Sequence, residues 1–359
     1  RSCDKMGTEA EAREYVALPA FLEHGFSDLN REVVAKRICC LCGTCAAFCD
    51  KIKLKGSEDT EEPGFVEDYD TVCGLCYAFC PRTFLPLPEI EKRIFGAEQK
   101  DVLGVYRGCY AVRTKKSDIV GQDGGVVTSL LAYALASGII DCAGITTSDD
   151  QWKPVTRVAK NYDELKAAAG TKYTLSPSVV SVKEAIEDGC SAIGFVGLPC
   201  QIQGLRKVQT AEQPYEVGKE KIKLLIGLFC MENFEEDLLS FIDTNYVTLG
   251  KVRKFDIKGK ELLVYEEAEK HAIPLEAIEE YVGEGCSVCM DFTAELADIS
   301  VGSVGSEEGW STVFARTENG EAIVNGAVEN GYVEVKELEG KGLDLIQRLG
   351  ERKRRHGST

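Results

Sequence analysis

A chain of 359 residues exceeds the usual span of one domain, and with 44% hydrophobic and 28% charged residues it has the make-up of a folded globular protein, not a disordered or fibrous one. A formal net charge of -17 excludes a nucleic-acid surface, which needs an excess of Lys and Arg. Sixteen cysteines behind an acidic leading segment (Asp4, Glu9, Glu11, Glu14), which lacks the apolar core of a signal peptide, indicate a cytoplasmic protein with metal or redox chemistry instead of disulfides.

Residues 1–30 mix Glu, Ala and Leu at helical spacing and predict a short amphipathic helical extension. Residues 31–88 hold two cysteine clusters separated by a polar segment, and Pro81, Pro86 and Pro88 then mark a linker. The first cluster, Cys39, Cys42, Cys45 and Cys49, has the spacing C-x2-C-x2-C-x3-C. In this pattern a tight loop aims three thiolates at one iron-sulfur cluster while the fourth serves its neighbour. Zinc is the competing assignment, but its motifs pair two C-x2-C knuckles instead of nesting four cysteines. Cys73, Cys76 and Cys80 followed by Pro81 repeat the end of the motif, with Asp70 where its first cysteine would stand. The crossed pattern gives one cluster Cys39, Cys42, Cys45 and Cys80, and the other Cys49, Cys73, Cys76 and Asp70. Either Asp70 binds the fourth iron through oxygen, or that cluster is a 3Fe-4S centre with Asp70 unbound. Cys40 is left over as a loop or core thiol, as are Cys3, Cys109, Cys142 and Cys190.

Beyond the prolines, short apolar runs alternate with helical patterns. A helix is expected over 126–136, and buried strands over 138–145, 192–196 and 222–229. Residues 252–266 alternate around Lys258-Gly259-Lys260 as a hairpin, so the expected fold is α/β with a mixed sheet, preceded by a small α+β ferredoxin-like domain. The most apolar stretch, 130–145, is interrupted by Ser137, Gly138 and Asp141 and is shorter than the ~20 residues of a spanning helix. The basic run Arg352 to Arg355 is read as part of a solvated tail over 346–359.

Candidate ligand contacts come from several places. Gly121-Gln122-Asp123-Gly124-Gly125 precedes the helix at Val126, where Thr128 and Ser129 add hydroxyls to a helix N-terminus suited to an anion. Cys200 follows one buried strand, Cys230 ends another, and Cys286-x2-Cys289 forms a knuckle after a Gly-rich turn, so four thiols could converge at one sheet edge as a third cluster site. Gly302, Ser303, Gly305, Trp310 and Ser311 supply a second Gly/Ser-rich surface, with Trp310 open to a plain core role. Lys172 is a candidate cation for a phosphate or carboxylate, an exposed lysine being the alternative.

The segments AAGTKYTLSP (168–177), FVGLPCQIQGL (195–205), KIKLLIGLFCMENF (221–234) and GCSVCMDFTAELADISVGSVGSEEGWST (285–312) resemble the beta subunit of coenzyme F420-reducing hydrogenase and its archaeal relatives, over about residues 104–340. With the cysteine module ahead of that region, the whole chain looks most like the electron-input F subunit of F420H2 dehydrogenases, and is similar to the N-terminal half of F420-dependent sulfite reductases. The resemblance implies a domain over 104–345 that binds FAD and takes F420 as substrate, with Pro199 and the Gly/Ser segments near the cofactors. It implies a third 4Fe-4S cluster beside the flavin, three clusters in all, and a protein electron acceptor or larger redox complex as partner. A passive iron-sulfur relay without flavin and a zinc-stabilised interaction protein are the rival readings.

Overall fold

The computed structural model describes residues 24–54, 63–65, 73–213 and 215–357. Most of the helical extension, Asp70, Cys3 and the greater part of the polar segment between the cysteine motifs lie outside the described residues.

The N-terminal part is built on its two cysteine loops. Short helices α1 (Phe26–Leu29), α2 (Thr44–Ala47) and α3 (Leu75–Phe79) accompany an antiparallel pair, β1 (Ile52–Leu54) and β2 (Pro63–Phe65). The two loops share one device. Gly43 and Gly74 stand just before α2 and α3 with φ of 86° and 79°, a left-handed turn that sets Cys42 and Cys73 one residue ahead of the turn into the helices carrying Cys45 and Cys76. The prolines expected to form a linker instead start a helix. Pro86 caps α4 (Leu87–Phe95) and Pro88 sits in its first turn, where a missing N–H costs nothing.

The larger part is organised by an eight-stranded sheet in the order β13 (Val333–Glu337), β3 (Gly108–Thr114), β12 (Ser311–Ala315), β11 (Ile299–Gly302), β7 (Ile222–Leu228), β6 (Ile193–Gly197), β4 (Cys142–Ser148), β5 (Pro154–Ala159). The central run β11, β7, β6, β4 is parallel and both flanks are antiparallel, so the sheet is mixed. The expected hairpin forms as β8 (Lys254–Lys258) and β9 (Glu261–Tyr265) around Gly259 at φ 65°. It pairs with β10 (Lys270–Pro274) in a separate three-stranded sheet, so the mixed character of the main sheet has another origin than the hairpin.

Helix α5 (Val126–Ala136) has the expected bounds. The strand expected from 138 begins only at Cys142, because Gly138 at φ 68° and the N–H groups of Ile139 and Ile140, both bonded to the Ala134 carbonyl, close the helix first. One face of the sheet is covered by α5 and α10 (Glu318–Glu329) through Leu130, Leu131, Ala134, Ile323 and Val324, packed on Leu224 and Ile226. On the other face, α8 (Pro199–Thr210) packs Ile202, Leu205 and Val208 against Leu225 and also against Leu75, Ala78 and Phe79 of the cysteine module. The module therefore shares a core with the larger part. A Cβ on Gly43 would stand 2.5 Å from the Pro177 carbonyl oxygen, a measure of how closely the two surfaces meet.

Residues 340–357, expected in part to be a solvated tail, form the helix α11 (Gly340–Gly357). Ile346 packs with Leu103, Phe292 and Phe314, Lys353 is buried, and Arg354 pairs with the buried Glu295 at 2.9 Å. The run is basic because its cations meet buried partners as well as solvent. Among the described residues no helix is long and apolar enough to cross a membrane.

Candidate functional site: three cysteine groups and a glycine-rich sheet edge

The described cysteines are all free thiols, and eleven of them lie in three neighbourhoods, with Cys40 between two of these. In the first, burial and then the nearby Cys80 and Cys39 sulfurs push the Cys45 thiol well up, and Cys42, whose Sγ lies 3.2 Å from Thr44 Oγ1, feels Cys80 and Cys45 as well. In the second, burial followed by Cys49 and Cys73 pushes the Cys76 thiol up to about 12. Cys49 stands near Cys73 and Cys76, and Cys76 is near enough to Cys45 for the two groups to adjoin. Asp70 lies outside the described residues.

The third neighbourhood forms where parallel strands end. Ligand sites of open α/β sheets lie beyond the carboxyl ends of such strands. Past β6, Leu198 leads into α8, whose first turn carries Pro199 and Cys200. Past β7, Cys230 donates its backbone N–H to the Phe292 carbonyl at 2.9 Å. Cys286 and Cys289 stand in a tight turn closed by Cys289 N–H to the Cys286 carbonyl at 3.2 Å. Burial raises the Cys230 thiol, with Cys286 next and Cys289 also contributing, while Cys200 lies close enough to Cys289 to feel it. Cys40, left over by spacing, is buried between the first and third neighbourhoods and hydrogen-bonds Cys200 and Cys42. Cys109 stands apart on β3, and Cys142 and Cys190 lie together at the start of β4 beside Asp141.

All-sulfur donor sets of this kind suit iron-sulfur clusters, which are held by cysteine thiolates. A further observation bears on fit. The Nε of Arg82 is buried with no hydrogen-bond partner, and its guanidinium is close to Cys40, Cys289 and Cys200. A buried donor without an acceptor is costly, and the inorganic sulfides of a cluster would supply one.

The second surface lies along the same sheet edge. β3 ends there and β12 begins there, so the Gly121 to Gly125 loop meets Ser311, with Gly124 N–H on Ser311 Oγ at 3.2 Å. Gln122 ties the loop to the small sheet through the Phe255 carbonyl and Asp256 Oδ1, both at 3.0 Å. The glycines are used mainly for protein packing. A Cβ on Gly124 would stand 2.8 Å from Ser311 N, one on Gly302 would enter the Phe229 ring, and one on Gly305 would meet Ile346. The hydroxyl of Ser129 bonds Thr114 at 2.5 Å and Thr128 is buried. The ammonium of Lys172 bonds the carbonyls of Ala168, Ala169 and Gly170, and burial pulls it down to about 8. Ser303 is exposed, and the half-buried Trp310 ring lies between Arg113 (4.6 Å) and Lys336 (4.2 Å). For a flavin, this edge offers Ser303, Trp310 with its two cations, and the backbone of 303–309.

Three cations that residue spacing did not single out surround the cysteines. Lys207 of α8 is fully buried and bonds the Cys80 carbonyl (2.6 Å), Thr83 Oγ1 (3.0 Å) and the Phe84 carbonyl (2.7 Å). Arg82 comes from the cysteine module. Lys353 of α11 donates to the Met231 carbonyl and, at 3.4 Å, to that of Cys286. For Lys353 a signal was available, since Ile346, Leu349, Gly350 and Lys353 recur at helical spacing.

Comparison with known proteins agrees in one direction. Residues 109–183 match the family of the coenzyme F420 hydrogenase/dehydrogenase beta subunit at its N-terminal part, and residues 190–341 match the same family at its C-terminal part. The chain is 44% identical over 261 residues to a coenzyme F420 hydrogenase subunit beta of Methanothermobacter thermautotrophicus, covering 70% of this chain and 93% of the relative. It is 32% identical over 332 residues to the F-type subunit of the F(420)H(2) dehydrogenase of Methanosarcina mazei, covering 90% and 91%. It is 39% identical over 334 residues to a coenzyme F420-dependent sulfite reductase of Methanocaldococcus jannaschii, covering 90% of this chain but only half of that protein. The fold is similar to a chain in a structure of the F420-reducing nickel-iron hydrogenase complex of Methanosarcina barkeri, with a TM-score of 0.70 and 38% identity over 73% of this chain and 92% of the other.

Proposed function

We propose that this chain, which belongs to the coenzyme F420 hydrogenase/dehydrogenase beta-subunit family, exchanges a hydride between coenzyme F420 and a bound FAD and passes electrons singly through three 4Fe-4S centres to a protein partner. The observation that carries the reading is the gathering of cysteines from distant segments into three all-sulfur groups, one of them on the sheet edge that also bears the Gly/Ser surface.

When bound, the flavin supplies the change from hydride to single electrons and the clusters supply one-electron carriers. The protein binds, orients and excludes water. Cys39, Cys42, Cys45 and Cys80 would hold the first centre, and Cys49, Cys73 and Cys76 the second, either with Asp70 as its fourth ligand or as a 3Fe-4S centre without it. Cys200, Cys230, Cys286 and Cys289 hold the third. Burial of Cys42, Cys45, Cys76, Cys80, Cys200 and Cys289 keeps water from their sulfurs, and Ser303 and Trp310 would line the flavin side. The N-terminal part is a two-cluster ferredoxin-like module whose shared core with α8 keeps the route short. Likeness to a chain of a hydrogenase complex supports a larger redox assembly as partner.

The test uses the chain purified without oxygen. Its visible spectrum is expected to show flavin over broad iron-sulfur absorption, and reduced F420 is expected to be a far better hydride donor than NADH. An iron-sulfur spectrum without flavin favours the passive relay, a colourless protein favours zinc, and comparable kcat/KM for NADH and reduced F420 refutes the deazaflavin assignment.

A further inference from the structure

Arg82 faces two cysteine groups at once. Its backbone N–H reaches Cys80 Sγ at 3.4 Å, in the first group, while its guanidinium lies beside Cys200 and Cys289, in the third. The side chain crosses from the N-terminal module into the larger part, where the guanidinium hydrogen-bonds Cys289 while its Nε is buried without a hydrogen-bond partner. Lys353 reaches the same third group from the opposite end of the chain. Its ammonium is bonded to the Met231 and Cys286 carbonyls and acts on the Cys230 and Cys286 sulfurs. It is held there because α11 is pinned at Ile346 and by the Arg354 to Glu295 pair. Two fixed positive charges from two separate elements thus meet at one set of four thiols, in a chain whose net charge is -17.

A redox centre gains negative charge when it is reduced, and a cation held in a low-dielectric interior stabilises the reduced form more than the oxidised one. Hydrogen bonds donated to cluster sulfur act in the same direction. We propose that Arg82 and Lys353 are positioning residues that raise the reduction potential of the centre carried by Cys200, Cys230, Cys286 and Cys289, with Arg82 Nε as a hydrogen-bond donor to that centre. This rests on those four cysteines being its ligands. The N-terminal module then contributes to the third centre as well as to its own two, so one-electron exit depends on the module being docked.

The experiment is a redox titration of the full chain, prepared anaerobically with its iron, read by EPR and visible circular dichroism. Cys289→Ser identifies which signal belongs to the third centre. Arg82→Met and Lys353→Met are each expected to shift that midpoint downward at unchanged iron content, and to leave the signal of the Cys49, Cys73 and Cys76 group where it was. Lys353→Arg, which keeps the charge, is expected to retain the wild-type midpoint. If the Met variants lose iron, Arg82→Lys decides the matter, because it keeps the charge but removes Nε and is expected to give a smaller downward shift. An iron-replete variant set whose third midpoint does not move overturns the proposal while leaving the ligand assignment intact. A wild type with iron for only two centres refutes the ligand assignment and the proposal with it.

Discussion

The Glu295 to Gln substitution tests whether α11 is docked over a carboxyl that stays protonated. Glu295 is 3% exposed and its Oε1 has no hydrogen-bond partner. Burial first, and then the neighbouring Asp291, push the carboxyl up to about 8, against the opposing pull of Arg354 at 2.9 Å and of Arg316. The ion pair reads as stabilising by geometry alone, but for a site this deep the burial cost outweighs it. A carboxyl moved from its ordinary 4.5 to about 8 is disfavoured in its charged form by roughly 5 kcal/mol, at ~1.4 kcal/mol per unit. Below pH 4.5 both folded and unfolded carboxyls hold their proton, so stability is unpenalised. As pH rises from 4.5 the unfolded carboxyl ionises while the folded one does not, and stability falls until the folded group also ionises near 8. Gln has the same shape and no such penalty. The difference in unfolding free energy, Glu295→Gln minus wild type, is therefore expected to grow in favour of the variant across this window. Urea unfolding of both proteins, anaerobically and at matched pH, measures it. A difference that is flat with pH, or that grows against the variant as pH rises, refutes the reasoning.

Other expectations follow from single positions. Gly43→Ala places a side chain at φ 86° and 2.5 Å from the Pro177 carbonyl oxygen, so it should lower the unfolding temperature more than Gly96→Ala, at φ 68° with nothing within 4 Å, which carries only the backbone strain of ~1–3 kcal/mol. Asp70→Ala is expected to convert a four-iron EPR signature of the Cys49, Cys73 and Cys76 centre into a three-iron one, and Asp70→Cys to make that corner resistant to mild oxidation; identical anaerobic spectra for wild type and Asp70→Ala remove Asp70 from the ligand set. Cys289→Ser is expected to lower iron content and, in stopped flow, to slow reduction of a one-electron dye more than bleaching of the flavin by reduced F420. Unchanged iron content counts against that assignment.

The cysteine clusters were legible because ligand spacing within a loop is local. Cys39 to Cys49, Cys73 to Cys80 and Cys286 to Cys289 carry their geometry in a few residues, helped by Gly43 and Gly74, which a left-handed turn requires. Helix α5 and the central strands were legible because apolar periodicity is strong where an element is buried on most sides. The hairpin at Gly259 was legible as a turn, but which sheet it joins depends on the partner strand β10, and no local pattern names a partner.

What the sequence by itself determined is the chemistry of the donors: thiols in motif spacing, a module of two cysteine loops, an α/β core and the family to which they belong. What only the tertiary structure decided is which charges face those donors. Pro86 and Pro88 begin a helix instead of a linker, because proline suits a first turn when the following residues pack. The C-terminal basic run is a docked helix, because burial of Lys353 beside Met231 needs a contact across 122 residues. Lys207 meets the Cys80 carbonyl across 127 residues, and Arg82 stands between two cysteine groups for the same reason. Contacts of that range are selected by how the shared core closes, and a linear pattern of residue types carries no record of them.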